Sequence, residues 1–214
     1  HDAAFFNMCR PLELVFSNGM DKGELVGIQT GDVTRMTTFE EFFDAYKKQM
    51  EYCISLMVNA DNAIDVAHAE RVPLPYESCM VDDCISRGLC VQEGGAVYNF
   101  TGPQGFGIAN MADSLYAIRK LVYEDKKVSM EEYKQALAWN YDKGLDQQSV
   151  SDMTEMILKG MQGAGMAVNT DTAKAVLQTV MRLKPSEEQV RRFTEIHHMI
   201  DEVPKFGNAI DDVD

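Results

Sequence analysis

Residues 71–122, RVPLPYESCMVDDCISRGLCVQEGGAVYNFTGPQGFGIANMADSLYAIRKLV, carry an order of glycines, aromatics and acids that decides the fold class. We predict a short strand at 96–100, a glycine loop after it and a helix that begins at Asp113. Glycine adopts positive φ freely, so the pair Gly94 and Gly95 lets the backbone bend and approach a bulky group closely. The alternative is that these glycines only turn the chain. The stretch therefore predicts either a binding loop or an ordinary turn.

The composition excludes several classes of partner. The chain has 214 residues, of which 45% are apolar, and a net charge of -14 from 34 acids against 20 Lys and Arg. Nucleic acids and anionic membranes require clustered positive charge, so neither is an expected partner. The sequence shows no apolar run of about 18 residues and no signal-peptide order at the N-terminus. We expect a globular protein of the cytoplasm.

The cysteines indicate no disulfide framework or zinc site. Five of them form an odd set without a CxxC pair: Cys9, Cys53, Cys79, Cys84 and Cys90. The last three are five and six residues apart, which would scatter them around a helix. We expect free and mostly buried thiols.

The longest predicted element is a helix over residues 38–70. Thr38 and Glu41 form a capping box at its start, aromatic residues recur at a spacing of three to four, and the prolines after Val72 end it. At 1.5 Å per residue this helix is roughly 50 Å long. A compact chain of this length is only about 44 Å across. We therefore expect the helix to pack along a larger body.

The remaining elements are mostly helical. A helix near 11–16 and a short strand at 25–28 precede the long helix. A capping box of Ser129 and Glu132 begins a helix that runs through Trp139. From residue 142 onward the pattern predicts three further helices, near 151–161, 170–183 and 187–200, and no strand.

Motifs for metal or nucleotide chemistry are incomplete. Asp65 with His68, and Glu195 with His198, each place a carboxylate and an imidazole three residues apart on a helix. A di-iron bundle also needs a bare carboxylate from each of two more helices, and the sequence nominates none, so we expect polar helix surface and no metal site. The 105–110 segment lacks the third small residue of a dinucleotide loop. A Cys–His nucleophile pair stays open, because such partners meet only in the fold.

Four segments carry a family resemblance. VPLPYESCMVDDC at 72–84, EGGAVYNFTGPQGFGIANMADSLYAIRKLVYED at 93–125 and PKFGN at 204–208 resemble blocks of glycyl radical enzymes, in the branch of diol dehydratases and choline trimethylamine-lyase. HDAAFFN at 1–7 resembles the segment that follows their catalytic cysteine loop. Together the likeness covers residues 1–141 and 204–214.

The resemblance to this pyruvate formate-lyase-like family implies a fold and a division of the chain. The implied fold class is α/β and predominantly helical, a partial segment of a ten-stranded α/β barrel with a helical appendage. Residues 1–141 would belong to the barrel, 142–203 would form a helical insertion or appendage, and 204–214 would be a loop that returns to the barrel. The full enzymes are homodimers as a rule.

The resemblance also implies the chemistry. An activating enzyme that contains S-adenosylmethionine and an iron–sulfur cluster installs a glycyl radical, and a cysteine thiyl radical then removes a substrate hydrogen without an organic cofactor. The Gly-Cys-Val-Glu motif of that cysteine and the Arg-Val-x-Gly-Tyr-like motif of the radical glycine are both absent from these 214 residues. No catalytic residue is therefore assigned, and we expect an internal fragment of a longer enzyme that is inactive alone.

Seven residues match family blocks that the resemblance places near the substrate cavity. Five would form a barrel strand and turn, and two would approach from the other side: Gly94, Gly95, Tyr98, Asn99 and Gly102, with Phe5 and Asn7 opposite. Their alternative role is packing and turn geometry in the barrel wall.

The substrate follows from overall likeness alone. The preferred reaction is cleavage of choline to trimethylamine and acetaldehyde. The alternatives are a diol dehydratase, an isethionate sulfite-lyase or a formate acetyltransferase-like enzyme. The implied partners are a small substrate and the activating enzyme, in the cytoplasm of an anaerobe, with a bacterial microcompartment as one candidate location. A hypothesis of another class is a non-catalytic helical interaction module in which residues 142–203 dock a partner.

Overall fold

The computed structural model describes residues 2–140, 147–182 and 185–206. Its strands and helices, in chain order, are β1 Asp2–Asn7, α1 Arg10–Phe16, β2 Met20–Asp21, β3 Glu24–Leu25, α2 Phe39–Arg71, α3 Pro75–Ser78, α4 Cys84–Arg87, β4 Gly102–Phe106, α5 Ile108–Ile118, α6 Met130–Ala138, α7 Gln147–Gly163, α8 Thr170–Arg182 and α9 Glu187–Glu202. A π-helical segment, Arg119–Glu124, continues α5. Short 3-10 turns lie at Val33–Arg35 and Val91–Glu93. The predicted α/β class with a predominance of helix is confirmed. That the chain is a partial segment of a ten-stranded barrel stays a prediction.

The strands form two small sheets. β1 and β4 are parallel, with Phe5 opposite Gln104 and Asn7 opposite Phe106. β2 and β3 form a separate antiparallel pair. Parallel neighbours need a long crossover between them, and here α2 to α4 lie between the two strands in the chain.

The strand predicted at 96–100 is wrong, because the strand lies at Gly102–Phe106. Local β propensity favoured Val97, Tyr98 and Phe100, but these side chains are 61%, 82% and 76% exposed and have no face to bury. β4 instead gains a hydrogen-bonding partner in β1, a strand that local pattern did not reveal. A Cβ atom at Gly105 would lie 2.9 Å from Met8 Sδ, so a glycine there permits the close approach.

Two further boundaries differ from the prediction. The helix expected at Asp113 begins at Ile108, and the Asp113 carboxylate accepts a hydrogen bond from the backbone N–H of Phe206 at 2.6 Å. The strand expected at 25–28 is limited to Glu24–Leu25, because Val26 and Gly27 donate their N–H groups to the carbonyl of Gly19 instead.

The long helix and its cap are confirmed. α2 has 33 residues, and at its start the N–H of Glu41 donates to Thr38 Oγ1 at 3.2 Å while Glu41 Oε2 accepts from the Thr38 N–H at 3.4 Å. Its buried residues, Phe42, Ala45, Tyr46 and Gln49, recur at helical spacing within the first three turns.

The chain divides into two compact units, each built from two segments. One comprises residues 1–8 and 50–108, and the other comprises 9–49 and 109–214. The second unit has a core of aliphatic and aromatic side chains such as Val15, Phe42, Ile118 and Ile196. In the first unit, the buried apolar side chains among the described residues are only those of Cys84 and Ala96.

The helices expected after residue 142 are present as α7, α8 and α9. α7 ends at Gly163, where the Gly163-Ala164-Gly165 break was predicted, and the Ser186–Gln189 capping box begins α9 as expected. No strand occurs in the described parts of this region, 147–182 and 185–206. The predicted boundary at 142 and most of the predicted 204–214 loop fall outside the described residues, so that division stays a prediction. Each described helix is too short or too polar to span a lipid bilayer.

Candidate functional site

Three of the seven proposed cavity residues lie on one face of the β1–β4 pair. Phe5 and Asn7 are two apart on β1, so they share a face, and their partners Gln104 and Phe106 lie on the same side. Gly102 is two residues before Gln104 and shares that face. The rings of Phe5 and Phe106 meet edge to face, with centroids 5.3 Å apart. We call this surface the strand face.

The strand face is open to solvent and largely apolar. Phe5 is 69% exposed and Phe106 is 51% exposed, although each ring could bury a large apolar area. The polar groups on the face are the side-chain amides of Asn7 and Gln104. The face therefore offers two amides in an aromatic surrounding, which is the composition of a small-molecule site.

Two other proposed residues, Gly94 and Asn99, line a cleft of about 530 Å³. Its remaining walls come from α2, from the start of α3 and from the turn before Gly94: Asp65, His68, Leu74, Glu77, Val91, Gln92 and Thr101. The volume lies within the range of small-ligand sites. Thr101 immediately precedes β4, so the cleft lies next to the N-terminal end of that strand.

Hydrogen bonds hold the walls of the cleft together. Gln92 Oε1 accepts from the Leu74 N–H at 3.1 Å, and Gln92 Nε2 donates to Glu77 Oε2 at 3.1 Å. Asn99 Nδ2 donates to the Val91 carbonyl at 3.1 Å. These bonds connect α3, the 3-10 turn and the segment before β4 into one polar wall.

The last two proposed residues have other surroundings. A Cβ at Gly95 would lie 2.2 Å from the Leu89 carbonyl oxygen, and the Gly95 carbonyl accepts from Arg87 Nη1 at 3.0 Å. Gly95 is therefore needed for close backbone packing. Tyr98 is 82% exposed, with its ring centroid 6.4 Å from that of Phe100, and it lines neither the cleft nor the strand face.

The site residues thus form two groups, and sequence patterns missed part of the second. Glu77 and Gln92 lack any local signal, because only the turn at Val91–Glu93 brings them together. Asp65 and His68 did carry a local signal, because they lie three residues apart on a helix, but the sequence analysis considered this pair only as part of a metal site. Across the described residues no group of three or more His, Cys, Asp or Glu is arranged to hold a metal ion. The cleft can instead offer carboxylates, an imidazole and amides as hydrogen-bonding partners of a small polar molecule.

Comparison with known proteins supplies the context for this geometry. The family model for pyruvate formate lyase-like proteins matches residues 1–214. The trans-4-hydroxy-L-proline dehydratase of Clostridioides difficile is 39% identical over 140 residues, which are 64% of this chain and 18% of the dehydratase.

The solved structures that are similar in fold include two dehydratase structures. One, which concerns 1,2-propanediol dehydration in Roseburia inulinivorans, is 59% identical with a TM-score of 0.93 and covers 100% of this chain and 25% of its own. The other is the glycerol-bound B12-independent glycerol dehydratase of Clostridium butyricum, which is 38% identical with a TM-score of 0.60 and covers 88% of this chain and 22% of its own. The chain therefore spans a quarter or less of each of these relatives.

Proposed function

This chain belongs to the pyruvate formate lyase-like family of glycyl radical enzymes, and on that premise we propose that it forms one wall of the substrate cavity of a dehydratase that acts on a small vicinal diol. The observation that carries the proposal is the likeness, in sequence and backbone along the whole chain, to the structure that concerns 1,2-propanediol dehydration. That likeness favours a diol over choline, the substrate that sequence resemblance alone suggested.

The radical chemistry belongs to groups outside these 214 residues. In the family a thiyl radical removes hydrogen from one carbon of the substrate, and the neighbouring carbon then loses its leaving group, which for a diol is water. The motifs of the thiyl cysteine and the radical glycine do not occur in this sequence. The role of this chain is therefore to shape the cavity and to hold the substrate.

We assign that role to the strand face. Interior positions of a barrel alternate along each strand, and Phe5, Asn7 and Gly102 obey this alternation. The aromatic rings would exclude water around the substrate, and the Asn7 amide would donate or accept a hydrogen bond at a diol hydroxyl. Gly102 lies opposite Asp2 at the start of β4 and adds no side chain at that end of the face.

The exposed apolar surface of the first unit supports a role within a longer protein. Apart from the two strand-face rings, Tyr76, Met80 and Ile85 are exposed by 83%, 68% and 73%, whereas the buried apolar side chains described in this unit are only two. A unit with so small a core of its own requires further protein to cover it. We propose that the rest of the barrel provides that cover, with a homodimer and an activating enzyme as the partners of the whole enzyme in the cytoplasm.

A segment exchange tests the proposal. The matching segment of the Roseburia inulinivorans enzyme would be replaced by this chain, and the chimera would be activated without oxygen. Electron paramagnetic resonance would measure the glycyl radical, and product analysis would measure propanal from 1,2-propanediol and trimethylamine from choline. We expect the radical signal and propanal. A chimera with a full radical signal that cleaves choline, or that leaves the diol unchanged, would refute the diol assignment.

A matched pair of variants in the chimera tests the strand face. Asn7→Ala should lower kcat/KM for the diol roughly 2- to 10-fold, the loss of one hydrogen bond, with an unchanged radical signal. Tyr98→Ala is the control, because Tyr98 precedes β4 and belongs to neither strand of the face, and it should leave kcat/KM unchanged. Equal effects of the two changes would remove the strand face from the substrate cavity.

A further inference from the structure

Three thiols that are separate in sequence line one small pocket. Cys79, Cys84 and Cys90 surround a space of about 190 Å³ together with Ser78 and Glu93. Their spacing of five and six residues had suggested that they would be scattered around a helix. The fold places them together because α4 is a single short turn and not a long helix.

A chain reversal brings Cys90 back beside Cys84. At the end of α4, Gly88 has φ +67°, its N–H donates to the Ile85 carbonyl at 3.2 Å, and the Leu89 N–H donates to the Cys84 carbonyl at 3.2 Å. These two bonds form a Schellman motif, which ends the helix and turns the chain. Cys90 is the next residue.

The Gly95 backbone lies against both Cys84 and Cys90. A Cβ at Gly95 would lie 2.9 Å from Cys84 Sγ and 2.8 Å from the Cys90 carbonyl oxygen. The sulfur of Cys84 and the backbone of Cys90 therefore flank the same point. Cys84 and Cys90 are therefore neighbours across a reversed chain, which is a precondition of a disulfide between them.

The three thiols differ in exposure. Cys84 is 2% exposed, Cys90 is half-buried and Cys79 is exposed. Burial, together with the neighbouring Cys90, raises the pKa of the Cys84 thiol. Cys84 is therefore a poor first nucleophile, and of the two residues Cys84 and Cys90 the second is the more accessible to an oxidant.

We propose that Cys84 and Cys90 form a redox-active pair that a peroxide converts to an intramolecular disulfide. The Cys90 thiolate attacks one peroxide oxygen, which gives a sulfenic acid and releases the other oxygen as water after protonation. The Cys84 sulfur then attacks the Cys90 sulfur and displaces the hydroxyl group, which leaves as water with the Cys84 proton. Overall, two thiols lose two hydrogens and one peroxide becomes two waters.

Peptide mapping of the oxidised chain tests this pair. The reduced chimera of the segment exchange, in which the rest of the barrel is present, would be treated with hydrogen peroxide, its remaining thiols alkylated, and the protein digested with trypsin. Arg87 lies between Cys84 and Cys90, so the disulfide joins peptide 72–87 to peptide 88–119. We expect this cross-linked product, with fragment ions that locate the bond at Cys84 and leave Cys79 alkylated.

Serine variants identify the partner independently. Cys79→Ser should keep the cross-link, whereas Cys84→Ser and Cys90→Ser should abolish it. Circular dichroism of each variant shows whether it folds. If a variant does not fold, the fragment ions from the unaltered protein identify which cysteines form the disulfide. A bond between Cys79 and Cys90, or disulfides formed only between separate chains, would overturn the proposal.

Discussion

The side chain of Gln49 offers the sharpest test of the forces that hold the second unit together. Gln49 is fully buried, its Oε1 accepts from the Ile28 N–H at 3.1 Å, and its Nε2 donates to the Ile28 carbonyl. One amide thus satisfies both backbone groups of a residue that lies outside helix and strand. Gly27 makes room for it, since a Cβ there would lie 2.6 Å from Gln49 Oε1.

Replacing this amide with an apolar side chain leaves two backbone groups unpaired. Each N–H or C=O group that is left unpaired away from water costs about 1–3 kcal/mol. The apolar area that leucine buries offsets part of this cost, so Gln49→Leu should lower the free energy of unfolding by about 2–4 kcal/mol. Urea unfolding followed by circular dichroism of the 214-residue chain measures the change.

The matched control is Gln92→Leu. Gln92 also accepts from a backbone N–H at 3.1 Å, but it is only partly buried, and water can replace its bonds. We expect a loss of about 0.5 kcal/mol or less. Equal losses for the two variants would refute the reasoning, which rests on the burial of Gln49 and on the second backbone group that its amide pairs.

A charged replacement adds a test by pH. In Gln49→Glu the carboxylate can still accept from the Ile28 N–H, but it faces the Ile28 carbonyl oxygen without a proton to donate. Burial and this repulsion raise the folded-state pKa of the new carboxyl above its unfolded value. The stability that the protonated carboxyl contributes to this variant is therefore fully present below the unfolded-state pKa, about 4.3, and is lost as pH rises through the folded-state pKa. A variant equally stable at both ends of that range would contradict the assigned bonds.

Three further predictions concern other parts of the chain. Gly95→Ala should destabilise the fold by about 3 kcal/mol, because a Cβ would lie 2.2 Å from a backbone carbonyl oxygen. Gly94→Ala is the control: its Cβ would meet nothing within 4 Å, and it should cost only roughly 1–2 kcal/mol for the positive φ. Equal losses in urea unfolding would contradict the predicted clash at Gly95. The backbone N–H of Ser129 and the guanidinium of Arg192 lower the pKa of Glu132 to about 2. The stability that these two interactions give to the folded state is therefore present above the ordinary carboxyl pKa and is lost as pH falls toward 2. Because both side chains are partly exposed, we expect about 1 kcal/mol, and Glu132→Gln should flatten the acid limb of the stability curve; an unchanged curve would exclude the interaction. The isolated chain should not convert 1,2-propanediol or choline even with an activating enzyme, and product formation would refute its role as part of a cavity wall.

The sequence predicted the elements whose signals are local. The capping boxes at Thr38, Ser129 and Ser186 began helices as expected, since the cap and the first turn lie within four residues of each other. The family followed from contiguous blocks around Gly94 and Gly102, which a single sequence displays without any fold.

Local pattern failed where pairing across the chain decides the structure. Val97 and Phe100 have high strand propensity, yet the strand formed at the glycine-containing Gly102–Phe106 segment because β1, about a hundred residues earlier, supplies its hydrogen bonds there. Which segment forms a strand depends on such a partner, and no short window of sequence contains both β1 and β4.

The sequence by itself determined the long helix, the helices that begin at Ser129 and Ser186, the family and the absence of the two radical motifs. Only the tertiary structure decided which of the proposed residues meet: Phe5, Asn7 and Gly102 on the strand face, Gly94 and Asn99 at the cleft. It likewise brought Cys84 and Cys90 to one pocket. The physical reason is the range of the forces, since capping and helical periodicity act over a few residues, whereas strand pairing and chain reversal depend on atoms that only the folded backbone brings together.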